Sequence, residues 1–438
     1  MKSGVIITLV FLFCITTAAN AQILDRVLNR TKEKTKSKTE QKTDNTIDKG
    51  LDKVEKGIEN IFKKKEKKKD KKSSNESSGR NNTTSSDDVA FEQYKGSSFV
   101  PGKNVLFFED FSTAKLSPGS GNWHVYEYDP SEDIEKPNVG TIPAAGGNWL
   151  KMPRKGFAFP NSFKNLPEQF TVEFDMYADP ESMNEMEGGF RTNFTTRNDR
   201  EEYSIHWDTE PAVCIDVHPH GSDEMVNMMV TTEYNSNLNR EDMVLFENTF
   251  KSGWNPGEVN RISIYRNGRH IILYINGKEI INLPNALTKK GQYNLIFSTN
   301  LWGDGIYVSN IRVAGNIPNA SQDIKDTGKF VTNAIYFDVN SSHIKPESWA
   351  TLNNTAQAIK ASSGTILIVG HTDSDGADDA NLKLSKNRAD SVKNILVKEF
   401  GIDASRLVTD GKGETQPLTS NNTASGKAQN RRVEFIKQ

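Results

Sequence analysis

Cysteine is almost missing from this sequence: Cys14 and Cys214 are the only two in 438 residues. Cys14 lies inside an uncharged N-terminal run, so a chain that loses that run keeps one thiol and can form no internal disulfide. Stability must then come from burial, which a chain of this length can supply in two domains. Long apolar runs are also scarce. The run from Gly4 to Ala19 follows Lys2 and leads into Ala19-Asn20-Ala21, the pattern of a secretory signal peptide over residues 1–21 cut before Gln22. Phe13 stands before Cys14, where a lipidated cysteine needs a small residue, so no lipid anchor is expected. No later segment is apolar for long enough to span a bilayer as a helix.

The formal net charge of -2 conceals two unlike parts. Residues 22–72 carry 18 Lys or Arg against 10 Asp or Glu, and the rest of the chain is acidic. Charge blocks of this kind are usually solvated arms. Ile47, Leu51, Val54, Ile58 and Ile61 recur at alternating spacings of four and three, which puts them on one stripe of a helix, over too short a span to require a coiled coil. The lysine-rich stretch after Phe62 suits a peripheral contact with anionic lipid or another polyanion, or a charged spacer. From Ser73 the composition turns to Ser, Asn, Thr and Gly, which cannot bury enough apolar surface to order itself; residues 73–96 are read as a flexible linker.

Residues 97–315 hold short β-rich runs between Gly, Pro, Asn and Asp clusters. Thr171–Tyr177 and Arg261–Tyr265 alternate with period two, and Asn267-Gly268 and Asn276-Gly277 mark hairpin turns around His270–Ile275. Many strands at this spacing suggest an antiparallel β-sandwich. The run Arg261 to Lys278, with Gly305–Val313 as closing strand, resembles concanavalin-like and laminin-G-like jelly rolls. Sandwiches of that kind that cleave glycans set three carboxylates on one strand face; here Glu173 and Asp175 alternate correctly but Tyr177 takes the third place. An enzyme is therefore not expected. Trp123, Trp149, Trp207, Trp254 and Trp302 could stack on sugar rings, but most are expected in the core. Asp216 and His218-Pro-His220 carry metal-capable atoms in strand-like alternation; a surface strand is expected there, with no metal or cofactor.

After a linker at 316–328, the pattern changes to strands alternating with helices, an α/β arrangement whose ligands sit beyond strand ends. Ala334–Phe337 reads as a short strand, Lys345–Ala361 as a helix, Thr365–Val369 as a central strand, Asn381–Phe400 as a helix and Arg432–Ile436 as the last strand. Five motifs then occur in order: Phe337-Asp-Val-Asn340, Gly370-His-Thr-Asp373, Asn381 to Ala389, Gly411 to Pro417, and Asn430-Arg-Arg-Val-Glu434. With these motifs residues 329–438 resemble the OmpA-like C-terminal domain family. The resemblance implies binding of peptidoglycan, with Asp373 and Arg388 holding the zwitterionic end of the diaminopimelate residue in the stem peptide and with Asn340, Thr372, Asn381 and Arg431 lining the pocket. The chemistry is sensible in itself: a carboxylate complements an ammonium, and a guanidinium fork grips a carboxylate with two parallel bonds. The alternative for Asp373 and Arg388 is a mutual surface ion pair. The loop Asp373–Asp379 hints at calcium but fails the EF-hand spacing at Ala377 and lacks the closing glutamate.

The expectation is thus a multi-domain chain: a basic N-terminal arm, helical or disordered, an antiparallel β-sandwich, and an α/β OmpA-like domain. Such a chain would be an exported envelope protein, peripheral on the periplasmic side of the cell outer membrane, that binds the wall through its last domain and presents the sandwich to a glycan or protein. A secreted glycan-binding adhesin, or a glycoside hydrolase with a wall anchor, is the alternative. No nucleic-acid partner is expected.

Overall fold

The computed structural model describes residues 91–438 except 113–122, 128–137, 154, 181–188, 196–212, 220–224, 232–243, 252, 288–289 and 301–304. The signal peptide, the basic arm and most of the serine-rich stretch lie outside the described residues, as do Trp207, His220 and Trp302.

Four strands of the middle region carry residues that touch the C-terminal region: β1 (Asn104–Glu109), β2 (Gln169–Ala178), β3 (Asn260–Asn267) and β4 (Ile306–Gly315). They belong to an eight-stranded antiparallel sheet that runs in the order Lys278–Leu283, His270–Ile275, β3, β2, β4, Ala145–Lys151, Val139–Ile142, with β1 also paired to β4. A second antiparallel sheet of seven strands runs in the order Val244–Lys251, Met225–Thr231, Val213–His218, Phe190–Thr195, Asn294–Asn300, Lys155–Pro160, Trp123–Glu127. Alternate residues of both sheets meet in one core. Phe170, Val172, Phe174 and Met176 of β2 point into it and pack against Phe190, Phe194 and Phe297 of the other layer. Phe174, Phe190 and Phe297 lie 5.0 to 5.4 Å apart between ring centres, a spacing that favours tilted aromatic contacts.

The two turns around His270–Ile275 differ from each other. Ile275 pairs with Lys278, and Asn276 and Gly277 both have positive φ, 49° and 75°, as a type I′ turn requires. Asn267, by contrast, still pairs with His270, so the central residues of the first turn are Gly268 and Arg269 rather than Asn267 and Gly268. Gly268, at φ 60°, takes the place that a type II′ turn reserves for glycine. Trp123, Trp149 and Trp254 are all buried, as core residues. The strand Val213–His218 is interior to its sheet, contrary to the surface strand expected there. Asp216 is buried, accepts a hydrogen bond from Arg191 Nε at 2.7 Å and lies 3.3 Å from His218 Nε2.

The C-terminal region begins with helix α1 (Ala320–Thr327), within the segment read as a linker, and continues with β5 (Lys329–Thr332), α2 (Trp349–Ala361), β6 (Ile366–Gly370), α3 (Asp378–Lys398), β7 (Leu407–Gly411), α4 (Ala424–Asn430) and β8 (Val433–Lys437). Asn319 caps α1 by accepting from the Gln322 N–H, and Gly328 at φ 68° ends it. The sheet order is β5-β8-β6-β7, with β6 parallel to β7 and antiparallel to β8. β6 is therefore central, and its Ile-Leu-Ile-Val sequence is mostly buried. Leu352, Ile359, Val392 and Leu396 of the helices close over Ile366, Ile368, Phe330 and Phe435 of the sheet. Ala334–Phe337 is not a strand: the regular strand is β5, and Phe337 makes one isolated bridge to Ile344. Phe91, inside the stretch expected to be a flexible linker, packs on Trp349 with ring centres 6.0 Å apart. No helix of the described residues is long and apolar enough to cross a membrane.

Candidate functional site

The site lies beyond the end of β6. Gly370 and Gly411 close the parallel pair β6–β7 where α3 crosses. A Cβ on Gly370 would stand 2.1 Å from the Ser385 carbonyl oxygen, and one on Gly411 would stand 2.4 Å from the Lys386 nitrogen. Only glycine admits so close a helix. The approach throws His371, Thr372 and Asp373 out past the sheet, where the Thr372 N–H is held by the Gly413 carbonyl at 2.9 Å.

Asp373 is buried and its carboxylate is oriented at both oxygens: Oδ1 accepts the Asp375 N–H at 3.2 Å and Oδ2 accepts Arg431 Nη1 at 2.6 Å. The partner of Asp373 is thus Arg431, not Arg388. Arg388 is half-buried, gives one hydrogen bond, from Nε to the Ser341 carbonyl at 2.9 Å, and lies over the Phe337 ring at 4.8 Å. No hydrogen bond from its two terminal nitrogens occurs among the described residues. Burial, and next the charge of Arg431, bring the Arg388 guanidinium down to about 10, with Asp373 opposing. Arg388 is therefore cationic at neutral pH but short of anionic company.

The other expected residues divide. Asn381 is buried; its Nδ2 donates to the carbonyls of Asp373 and Asp375 and to Glu414, so it pins the loop behind the site. Thr372 is buried with its hydroxyl unpartnered. Asn340 stands exposed at φ 53°, between Val339, which is 90 % exposed, and the Ser341 that receives Arg388. Asp375 of the calcium-like loop is held by Lys427 at 2.6 and 2.9 Å. Among the described residues no three His, Cys, Asp or Glu side chains could jointly hold a metal ion. Two contributors to the pocket were not singled out from the sequence. The Phe337 ring lies inside a recognised motif, but its place under Arg388 depends on a loop. The Ser341 carbonyl carries no side-chain signal at all.

The carboxylates weighed as catalytic lie elsewhere and are fully engaged. Glu173, on β2 and only 1 % exposed, accepts from Arg312 at 2.8 Å, from Arg261 at 3.1 Å and from the Tyr336 hydroxyl at 2.8 Å. Asp175 accepts from Arg261 at 2.8 Å and from Asn310 at 2.6 Å. Burial drives the Tyr336 phenol upward, so it stays a hydrogen-bond donor to Glu173. The cluster joins β2, β3 and β4 to the chain just before Phe337. Tyr336 faces the sandwich while its neighbour Phe337 underlies Arg388.

Known proteins share this part of the chain. Residues 336–431 match the OmpA family, a span that includes Asn340, Thr372, Asp373, Asn381, Arg388 and Arg431. Outer membrane protein A of Bordetella avium is 42% identical over 142 residues, 31% of this chain and 73% of that protein. The probable lipoprotein YiaD of Escherichia coli is 47% identical over 104 residues, 24% of this chain and 47% of the relative. The peptidoglycan-binding protein ArfA of Mycobacterium tuberculosis is 33% identical over 147 residues, 32% of this chain and 45% of the relative. The chain thus spans about half the length of the latter two. With most of the Bordetella protein covered at this identity, and with residues 336–431 folded into an α2–β6–α3–β7–α4 unit around Asp373, this chain belongs to the OmpA family.

Proposed function

We infer that the C-terminal domain binds peptidoglycan, with Asp373 taking the ammonium and Arg388 the carboxylate of the diaminopimelate end of the stem peptide. The observation that carries this reading is the state of Arg388: half-buried, fixed at Nε and on the Phe337 face, with its terminal nitrogens unused beside an oriented carboxylate. A free amino-acid end presents two charges a few ångströms apart, and this pair complements both. The name of the Mycobacterium relative, a peptidoglycan-binding protein, supports the same ligand. On this reading the protein is exported and held to the wall on the periplasmic side of the outer membrane. The two-sheet domain is then a concanavalin- or laminin-G-like sandwich displayed for a glycan or protein partner. The hydrolase alternative draws no support from Glu173 and Asp175, whose oxygens are held by Arg261, Arg312, Tyr336 and Asn310.

The test is co-sedimentation of the full chain with purified sacculi. Asp373→Ala or Arg388→Ala should each weaken binding by roughly tenfold to over a hundredfold, since a charge-assisted hydrogen bond contributes about 1.5 to 3 kcal/mol. Arg388→Lys should also fail substantially, because it keeps the charge and loses the fork. Circular dichroism controls for folding. Three variants that sediment like wild type would remove this pocket from wall binding.

A further inference from the structure

The outer edge of β1 is bound by side chains rather than by another strand. Among the described residues β1 pairs only with β4, so an edge strand's row of backbone groups would be left open on its far side. Helix α4 of the OmpA-like domain lies along that edge. Ser425 Oγ accepts the Phe108 N–H at 3.0 Å, and Gln429 Nε2 donates to the Val105 carbonyl at 2.8 Å. Residues 425 and 429 are four apart on α4 and so share one helix face. The helix is therefore seated on the sandwich in one register.

That seating determines what happens at the helix's end. Arg431 is the C-cap of α4, two residues past the Gln429 anchor. Its guanidinium carbon lies 5.3 Å from the centre of the Phe108 ring, while its Nη1 holds Asp373 Oδ2. A guanidinium within about 6 Å of a ring centre is attracted by the ring's quadrupole. Phe108, Arg431 and Asp373 thus form a chain of contacts from the sandwich edge into the pocket. Each carboxylate oxygen has two acceptor sites. Asp373, with one site on each oxygen filled by Asp375 and Arg431, keeps a fixed orientation and still has room to accept an ammonium.

We propose that Phe108, on the first strand of the sandwich, is a positioning residue of the wall-binding pocket: its ring fixes Arg431, which in turn fixes the Asp373 carboxylate. This rests on the wall-binding reading of the pocket, and it gives the sandwich a part in the affinity of the domain after it. The pocket is completed across a domain boundary.

The experiment uses the full chain with Phe108→Leu, which keeps apolar volume and loses the ring, and Phe108→Trp, which keeps a ring. Co-sedimentation with sacculi should weaken about two- to fivefold for Phe108→Leu, the effect of one partly exposed cation–π contact, and stay within about twofold of wild type for Phe108→Trp. In an Arg431→Ala background Phe108→Leu should add no further loss, because the residue it acts through is gone. A second measurement needs no ligand: the Arg431 Nε–H resonance should lose its ring-current shift in Phe108→Leu and keep one in Phe108→Trp. Wild-type binding by Phe108→Leu, a further loss in the Arg431→Ala background, or an unmoved Arg431 resonance would each overturn the proposal. If even the wild type fails to sediment, the wall-binding reading falls, and the resonance alone decides whether Phe108 positions Arg431.

Discussion

The group of opposite charges around Glu173, on the sandwich, and the one around Asp373, at the end of β6, are built to different rules. Around Glu173 the participants are buried or half-buried and paired with one another: two arginines, a phenol and two carboxylates exchange hydrogen bonds at 2.8 to 3.1 Å, and among their buried side-chain nitrogens and oxygens Arg261 Nε alone is left without a partner. Around Asp373 the carboxylate is oriented, yet Arg388 commits only its Nε to the protein. The first group is closed and ties strands together. The second is open at the end of a strand, where a ligand can complete it. From residue types alone the first looks like the stronger catalytic candidate, with two carboxylates in alternation on one strand. What separates a structural cluster from a binding site is how many of its lone pairs and donors are already used.

The comparison predicts opposite phenotypes, and the largest effect belongs to the closed cluster. Glu173→Ala leaves Arg261 and Arg312, both nearly buried, without their shared anion. Breaking a buried pair by removing one partner costs about 3 to 5 kcal/mol. Chemical denaturation should show a loss of that order, with wall binding per folded molecule nearly unchanged. Asp373→Ala, by contrast, removes the partner of an Arg431 whose side chain is 36% exposed, so its effect on stability should stay below about 1 kcal/mol while binding collapses. A Glu173→Ala protein as stable as wild type would erase the distinction between the two clusters.

What could be read from the sequence divides in the same way, between local and distant signals. β6 was legible because a central strand buried on both faces needs a continuous apolar run, and Ile366–Val369 is one. The Asn276-Gly277 turn was legible because both residues tolerate positive φ. The placement of Asp373 and Arg388 came from the order of motifs. The Asp373–Arg431 bond did not, because its partners are 58 residues apart and are brought together by β8 running beside β6, which periodicity cannot reveal. β7 and α4 escaped for a different reason: Leu-Val-Thr-Asp-Gly and Ala-Ser-Gly-Lys-Ala-Gln-Asn are short and mixed, and α4 carries an interior glycine that lowers helix propensity. Tertiary docking on β1 holds α4 in place.

A second prediction sharpens the contrast through pH. His371 comes directly after β6 and is 2% exposed; neither ring nitrogen has a hydrogen-bond partner, and Glu434 is 3.6 Å away. Burial first, then the charge of Arg432, hold it down to about 4, with Glu434 opposing and Lys329 and Lys412 adding to the fall. A histidine whose folded value lies below its unfolded value of about 6.5 stays neutral in the native state while the unfolded chain takes up a proton. Stability is therefore complete above about 6.5 and falls as pH drops towards 4, by about 3 kcal/mol in all at 1.36 kcal/mol per pH unit. The paired Glu434, held low by Lys329 and Arg432 against burial, loses its contribution in the same direction at lower pH. His371→Gln should flatten the upper part of the curve, between about 6.5 and 4. If denaturation midpoints of wild type and His371→Gln fall in parallel over that range, His371 is not the group responsible.

The smallest effect is expected from the most highly charged part of the chain. Residues 22–72 lie outside the described residues, and their excess of positive charge is separated from the folded region by the Ser- and Asn-rich stretch that begins at Ser73. Deleting residues 22–72 should therefore leave the thermal midpoint where it is and leave sacculus binding through Asp373 and Arg388 intact. Its contribution, if the arm touches polyanionic surfaces, should emerge only in the retention of the protein on envelope fractions. It should also fade as salt is raised, because charges separated by more than about 8 to 10 Å are screened at physiological ionic strength and above. The two modes of attachment can thus be told apart in one titration. Retention through the pocket depends on Arg388 and weakens more gently with salt, since a partly buried pair is screened less than an exposed one. Retention through the arm depends on residues 22–72 and is lost with salt. A deletion that lowers the thermal midpoint by several degrees would mean that the arm packs on the folded region. Envelope retention that needs the arm yet survives high salt would mean that the Ile47–Ile61 stripe has an apolar partner.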